Sequence, residues 1–305
     1  IVLCKSQDMD NGYNDYIKVC LNELSDILNI PLKEIKSLNY NVYTYMDKKQ
    51  QQDLHDVIKN KAYYKDYNST DSVALIIDNK EFSVSAISVK SKLPYNKILR
   101  QPGSAIKPLL VYAPALEYNL VSPATEILDE KTGFEGYSPS NFNDKYYGYI
   151  DIRSCLSKSL NIPAVKILNT VGIEKAKSFA KRGGINFTSN DNNLGLALGG
   201  FSEGINLNDL AASYVPFSNG GMYKKLHYIK TITDEKGKII YQDNENPKQI
   251  MREDTAYLIT DMLKDSINSG TASKLSALNY PLCSKTGTVG NSEFNTDAYN
   301  ISYTT

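Results

Sequence analysis

Apolar residues recur at three-to-four spacing over several stretches of this chain, and runs of strand-forming residues stand between them. Asn14 to Val19, continued by Leu24, Ile27 and Leu28, predicts a helix, and Pro31 opens a short helical turn after it. Tyr40–Tyr45 reads as a strand and Asp47 to Asn60 again as a helix. The polar run Asp66–Asp71 marks a boundary. Beyond it, Ser72–Ile77 and Phe82–Val89 predict a hairpin turning at Asp78-Asn79-Lys80. A helix is expected from Ser104 to about Tyr118, kinked or shortened by Pro114. Residues 119–150 carry Pro and Gly punctuation and read as loops.

Ile152 to Asn169 predicts a helix interrupted at Asn161-Ile162-Pro163, and another follows at Glu174–Arg182. A glycine-rich turn spans Gly195 to Gly204, and Leu207 to Phe217 predicts a further helix. Tyr228–Thr233 and Lys238–Gln242 predict a second hairpin, and Arg252 to Ile267 a helix. The strand Tyr280–Ser284 leads into Lys285-Thr286-Gly287-Thr288, and a last strand runs from Ala298 to Tyr303. Strands at both ends with a helical block between them imply an α+β fold, a sheet flanked by helices. There are no internal repeats.

Composition narrows the function mainly by exclusion. The 34 basic and 34 acidic residues cancel, which argues against nucleic acid or an anionic surface as partner. No apolar run is long enough to span a membrane, and none reads as a signal peptide. The chain begins at Ile1 rather than Met and is expected to be a fragment, so an upstream anchor would lie outside it. Cys4, Cys20, Cys155 and Cys283 lack metal-ligand spacing, and His55 and His227 are isolated, so no metal site is expected. Cys4 and Cys20 could pair, but buried free thiols are the favoured reading.

The candidate chemistry begins at Arg100-Gln101-Pro102-Gly103-Ser104-Ala105-Ile106-Lys107. Ser104 and Lys107 lie three apart, so on a helix they share a face, and a buried lysine can be neutral enough to take the serine proton. The spacing alone is weak, because Ser178 and Lys181 repeat it within an ordinary amphipathic pattern. Two later motifs change the odds. Ser159-Leu160-Asn161 offers a hydroxyl that can relay a proton and an amide that can hold the lysine or a substrate carbonyl. In Lys285-Thr286-Gly287-Thr288 the lysine supplies charge, the threonine hydroxyls can bind a carboxylate, and the glycine admits substrate along a strand edge. Ser37-Leu38-Asn39 and Lys131-Thr132-Gly133 copy these motifs out of order and are rejected.

In that order the three motifs resemble the transpeptidase domain of penicillin-binding proteins. Tyr147-Gly148, Ser157 to Val165, Leu198-Gly199-Gly200, Asn219-Gly220-Gly221 and Ser269-Gly270-Thr271-Ala272 resemble the same family. Residues 71–305 are thereby read as the transpeptidase domain. Residues 12–60, above all Val42-Tyr43-Thr44-Tyr45-Met46-Asp47, resemble the interdomain linker of class A, bifunctional members, with Tyr45 where the family usually has threonine. Residues 1–70 are therefore read as that linker region, helical with a short strand. The resemblance implies a fold of the serine β-lactamase and transpeptidase kind, with a largely helical subdomain. It implies that Ser104 attacks the penultimate D-Ala carbonyl of stem peptides ending D-Ala-D-Ala, with Lys107 as base and Ser159 passing the proton to the leaving amine with Lys285 near it. Asn161 would orient the substrate backbone, Thr286 and Thr288 would hold the terminal carboxylate, and Gly287 would line the strand edge. Backbone amides of Ser104 and Thr288 would form the oxyanion hole. β-Lactams would acylate Ser104 by the same route, and no cofactor is required. An extracytoplasmic location, a membrane anchor and an upstream glycosyltransferase are implied by the family alone.

The family continues past Tyr303 with another strand and a closing helix, so a C-terminally truncated domain is expected, with an exposed sheet edge and lowered stability. Asn300 and Ser302 also replace residues usually apolar. The rival readings are a serine β-lactamase, a non-enzymatic β-lactam sensor and a D,D-carboxypeptidase. The first is disfavoured because neither Glu174 nor Glu203 has an asparagine four residues on.

Overall fold

In the computed structural model, residues 12–35, 38–134, 136–290 and 294–304 are described; Cys4 and Ser37 lie outside them. The chain folds as two compact units. One takes residues up to Ile98 together with Lys224–Asn246, the other Leu99–Tyr223 and the chain from Pro247.

In the first unit the N-terminal periodicity forms the Asn14–Leu28 helix, whose Tyr16, Val19, Cys20 and Leu24 are buried along one face. Asn29, at φ 52°, ends it in the left-handed conformation that asparagine tolerates. Tyr16 is wholly buried, and its hydroxyl donates 2.6 Å to the Val84 carbonyl, tying this helix to the Ser83–Lys90 strand. The Lys48–Lys59 helix starts at Asp47, whose side chain accepts from Gln50 N. From its buried face the Gln51 amide both accepts from Ile87 N and donates to Ile87 O, each at 2.9 Å. Ser72–Asp78 pairs antiparallel with Ser83–Lys90, as the hairpin signal predicts. Asn41–Thr44, Ile229–Thr233 and Ile239–Gln242 form a three-stranded antiparallel sheet. Beside it Tyr45, the residue out of keeping with the family, donates 2.8 Å to Asp243, which also holds Lys224 at 2.6 Å.

The second unit is built around the segment that carries Ser104. Gly103–Ile106 is 3₁₀-helical, Pro108–Tyr112 is a π-turn and Ala113–Glu117 is α-helical. The expected single helix is therefore wound in three ways. Pro114 can offer no N–H to the preceding turn, and the π-turn before it, closed by Ala113 N on Pro108 O, absorbs the mismatch. From Ala105 to Leu116 every side chain is buried, so the segment is the axis of the core and has no wet face. The helices Ile152–Ser157, Asn161–Val171, Ile173–Arg182 and Glu253–Asn268 contribute apolar side chains to the same core. The stretch read as loops contains two strands, Glu126–Asp129 and Gly148–Asp151, paired antiparallel. The expected Leu207–Phe217 helix is two short pieces, Leu207–Ala212 and Val215–Ser218, because Pro216 interrupts the hydrogen bonding. The motif-bearing strand runs Cys283–Gly290 and pairs antiparallel with Asn295–Tyr303. Asn300 and Ser302 on the second strand both reach the Ser284 hydroxyl, at 3.4 and 3.0 Å, which gives the two polar replacements a partner. Cys20, Cys155 and Cys283 are buried thiols.

Candidate active site

The site lies within the second unit, where a helix start, a helix break and a strand converge. Gly103, at φ 54°, turns the chain into the 3₁₀ segment; a Cβ there would stand 2.6 Å from the Thr288 carbonyl. Residues i and i+3 eclipse on a 3₁₀ turn, so Lys107 follows directly behind Ser104. Ser104 is half-buried and Lys107 has no exposure to water.

Lys107 Nζ donates to Ser159 O at 2.7 Å, Leu160 O at 3.1 Å and Asn161 Oδ1 at 2.7 Å, with Ser159 Oγ at 3.5 Å. Every one of these acceptors is uncharged. Burial, and then the proximity of Lys285, push the Lys107 amine well below the ordinary lysine value. The carbonyls converge because the helix breaks one turn earlier than the sequence suggests. Ile152–Ser157 ends, Ser159 takes φ 59°, and Asn161 opens the next helix, with Pro163 accommodated in its first turn. Left-handed backbone at a serine costs about 1 kcal/mol, and here it presents carbonyl and hydroxyl to the two lysines.

Lys285 is also wholly buried; its Nζ donates 2.8 Å to Ser159 Oγ and 2.8 Å to Thr286 O. Burial brings its pKa down to about 7. Ser159 Oγ thus lies between the amines of two lysines that are far apart in sequence. Thr286 Oγ1 donates 2.7 Å to Thr271 Oγ1, and Thr288 is exposed. Gly287 has a steric role that the motif alone does not reveal. A Cβ on it would lie 2.5 Å from Pro102 O and 3.0 Å from Ala105, so its absence lets the strand press against the Ser104 turn. Asn161 Nδ2 donates 2.8 Å to Ser140 O.

All eight sequence-predicted residues therefore lie on three adjoining elements. The copies do not join them: Ser178 and Lys181 are exposed on the Ile173–Arg182 helix, and Lys131 is exposed beyond Asp129. Thr271 and Asn141 touch site residues without having been singled out for it.

Comparison with known proteins bears on this arrangement. The family described as penicillin-binding protein transpeptidase domain matches residues 66–303. The chain belongs to that family. Among curated relatives, penicillin-binding protein 1F of Bacillus subtilis is 32 % identical over 311 residues, spanning 98 % of this chain and 43 % of the relative. Penicillin-binding protein 1A of Clostridium acetobutylicum is 28 % identical, over 83 % of this chain and 35 % of its own length. The chain thus spans less than half the length of these relatives. Among solved structures, PonA1 of Mycobacterium tuberculosis in complex with penicillin V has the same fold, with a TM-score of 0.81 at 20 % identity over 96 % of this chain and 82 % of that one. The D,D-transpeptidase domain from Eggerthella lenta aligns with a TM-score of 0.74 at 16 % identity, over 92 % of this chain and 78 % of that one. The fold is thus that of a penicillin-binding transpeptidase, α+β with antiparallel strand pairs, as the motifs imply. The family match begins at residue 66, inside the polar run read as a boundary, and takes in Ser104, Ser159 and Lys285 together.

Proposed function

We propose that this chain is the acyl-transferring part of a peptidoglycan D,D-transpeptidase, acting through an acyl-enzyme on Ser104 outside the cytoplasmic membrane. The observation that carries this reading is the Ser159 hydroxyl set between two buried lysine amines, one of them three residues from Ser104. Two ammonium ions so placed and so dry cannot both stay charged at low cost, so a neutral amine is at hand as base. Lys107 Nζ takes the Ser104 proton as Oγ bonds to the carbonyl carbon of the penultimate D-Ala. The Ser104 and Thr288 amides receive the oxyanion, each donor contributing about 3 kcal/mol. As the C–N bond breaks, the proton passes by way of Ser159 Oγ to the departing D-Ala amine. The amine of a second stem peptide then attacks the ester, and its proton passes through the base to Ser104 Oγ as the C–O bond breaks, which frees both serine and amine for another turnover. Thr286, Thr288 and Lys285 bind the substrate carboxylate, and Asn161 steadies the peptide. In a β-lactam the same attack opens the ring and leaves the drug on Ser104. A glycosyltransferase domain and an anchor elsewhere in the full protein accord with the longer class A relatives.

Intact-mass measurement after exposure to benzylpenicillin tests this. A single adduct that persists for hours and is lost in Ser104→Ala is the expected result. Absence of an adduct on folded protein overturns the assignment. An adduct that clears rapidly with consumption of drug makes the protein a β-lactamase.

A further inference from the structure

The residues around Asn161 carry a relay that the motifs do not contain. Asp129 ends the Glu126–Asp129 strand and is 1 % exposed; Asn141, 4 % exposed, faces it. Asn141 Nδ2 donates to both carboxylate oxygens of Asp129, at 2.7 and 2.9 Å, and to Lys145 O at 3.0 Å. Tyr147 N donates to the same carboxylate at 3.0 Å. With the amide nitrogen committed, Asn141 Oδ1 is turned the other way, where it accepts from Asn161 N at 2.8 Å and Ile162 N at 3.1 Å. A flipped amide would set oxygen against carboxylate and NH₂ against two N–H groups, so Asp129 fixes the orientation. The two N–H groups are orphan donors of the first turn of the Asn161–Val171 helix, whose own N-cap, Leu160, has no side chain to satisfy them. Asn141 caps this helix from twenty residues away.

We propose that Asn141, oriented by Asp129, is a positioning residue for the Lys107–Asn161 contact and thereby sets the rate at which Ser104 is acylated. Asn161 is held twice by the same segment: its backbone by Asn141 and its side-chain Nδ2 by Ser140 O. That leaves Asn161 Oδ1 a single direction, toward Lys107 Nζ at 2.7 Å. To act as base the amine has to turn its lone pair to Ser104, which leaves two protons to be held by Asn161 Oδ1 and one of the 159–160 carbonyls. A helix start free to shift would spoil that aim, and misplacement by about 1 Å costs on the order of a hundredfold in rate. The inference rests on the reading of Ser104 as nucleophile.

The test is benzylpenicillin acylation followed by mass at several drug concentrations, giving the amplitude and the limiting rate separately. Asn141→Ala is expected to keep one adduct per folded chain while the limiting rate falls about 10- to 100-fold. Asn141→Asp, which sets carboxylate against carboxylate, is expected to fall likewise. The exchange Asp129→Asn with Asn141→Asp restores the charge and the amide–carboxylate pairing, loses only the bond to Lys145 O, and is expected to recover most of the rate. An Asn141→Ala protein with undiminished limiting rate, or one that loses only amplitude, overturns the proposal. If Asn141→Ala does not fold, the exchange decides: a variant that fails to fold, or folds and stays slow, overturns it. Wild-type protein that takes no adduct defeats the Ser104 reading instead.

Discussion

Ser159 Oγ is the atom that Lys107 and Lys285 share, and neither amine has water around it. For Lys285 burial has a consequence for stability. A lysine whose pKa is lowered by folding binds fewer protons in the native than in the unfolded state between its two pKa values, so stability rises with pH across that interval. For Lys285 the interval runs from about 7 up to the ordinary lysine value near 10.5. Thermal melts at pH 7 and pH 9.5 should show the higher midpoint at the higher pH, with a smaller gain in Lys285→Met. An equal gain in both proteins would assign the slope to other groups. At this scale the sequence was most legible where motifs follow one another in order. Ser104 and Lys107 share a face through their helical offset, and the later Ser159-Leu160-Asn161 and Lys285-Thr286-Gly287-Thr288 single that pair out from the Ser178 and Lys181 copy. Asn141 and Asp129 could not be found, because their partners lie outside any periodic pattern and meet only through the fold.

The elements differ from their sequence signals where prolines and strain intervene. Periodicity located the helices Asn14–Leu28, Lys48–Lys59 and Glu253–Asn268 to within a residue or two. It did not place the break at Ser159, because a serine at positive φ carries no composition signal, whereas Pro163 reads as a break and is instead housed in a first turn. Nor did it find Glu126–Asp129 and Gly148–Asp151, which are too short and too mixed in polarity to read as strands. Gly287 illustrates an element-scale requirement written in one residue. Gly287→Ala should slow acylation at least about tenfold by lifting the strand off the Ser104 turn, as misplacement by a fraction of an ångström suffices. Gly133→Ala, in the rejected copy of the motif, should leave the rate unchanged, since its added Cβ would meet only Ser138 Oγ at 3.6 Å. The pair is compared by penicillin acylation rates; equal effects would remove the steric role assigned to Gly287.

At the scale of the whole molecule, the first unit has a buried polar anchor, Lys224 with Asp243, whose side chains are 7 % and 1 % exposed. Burial alone would raise the Asp243 carboxyl, but hydrogen bonds from Lys224 and Tyr45 outweigh it and hold the group below the usual carboxylate range. Lys224→Met strands that carboxylate and should cost about 3–5 kcal/mol, whereas Lys224→Met with Asp243→Leu should cost clearly less. Denaturant unfolding of the two variants measures the difference; equal losses would mean the pair is not coupled. In the second unit the contact between the Ser104 turn and the Cys283–Gly290 strand has a different character. Gly103, Gly199 and Gly287 meet neighbouring main chain so closely that a Cβ on any of them would lie 2.4–2.6 Å from a backbone atom. The three glycines themselves bring no side chain to that seam, so mutating them can only add bulk and never trim it. Selection for a roomier pocket, or for one that rejects a drug yet keeps a peptide, has no small step to take there. Such change has to be spread through the elements that carry the turn and the strand, many modest substitutions at a distance, and lineages under antibiotic pressure should differ around this seam while agreeing within it.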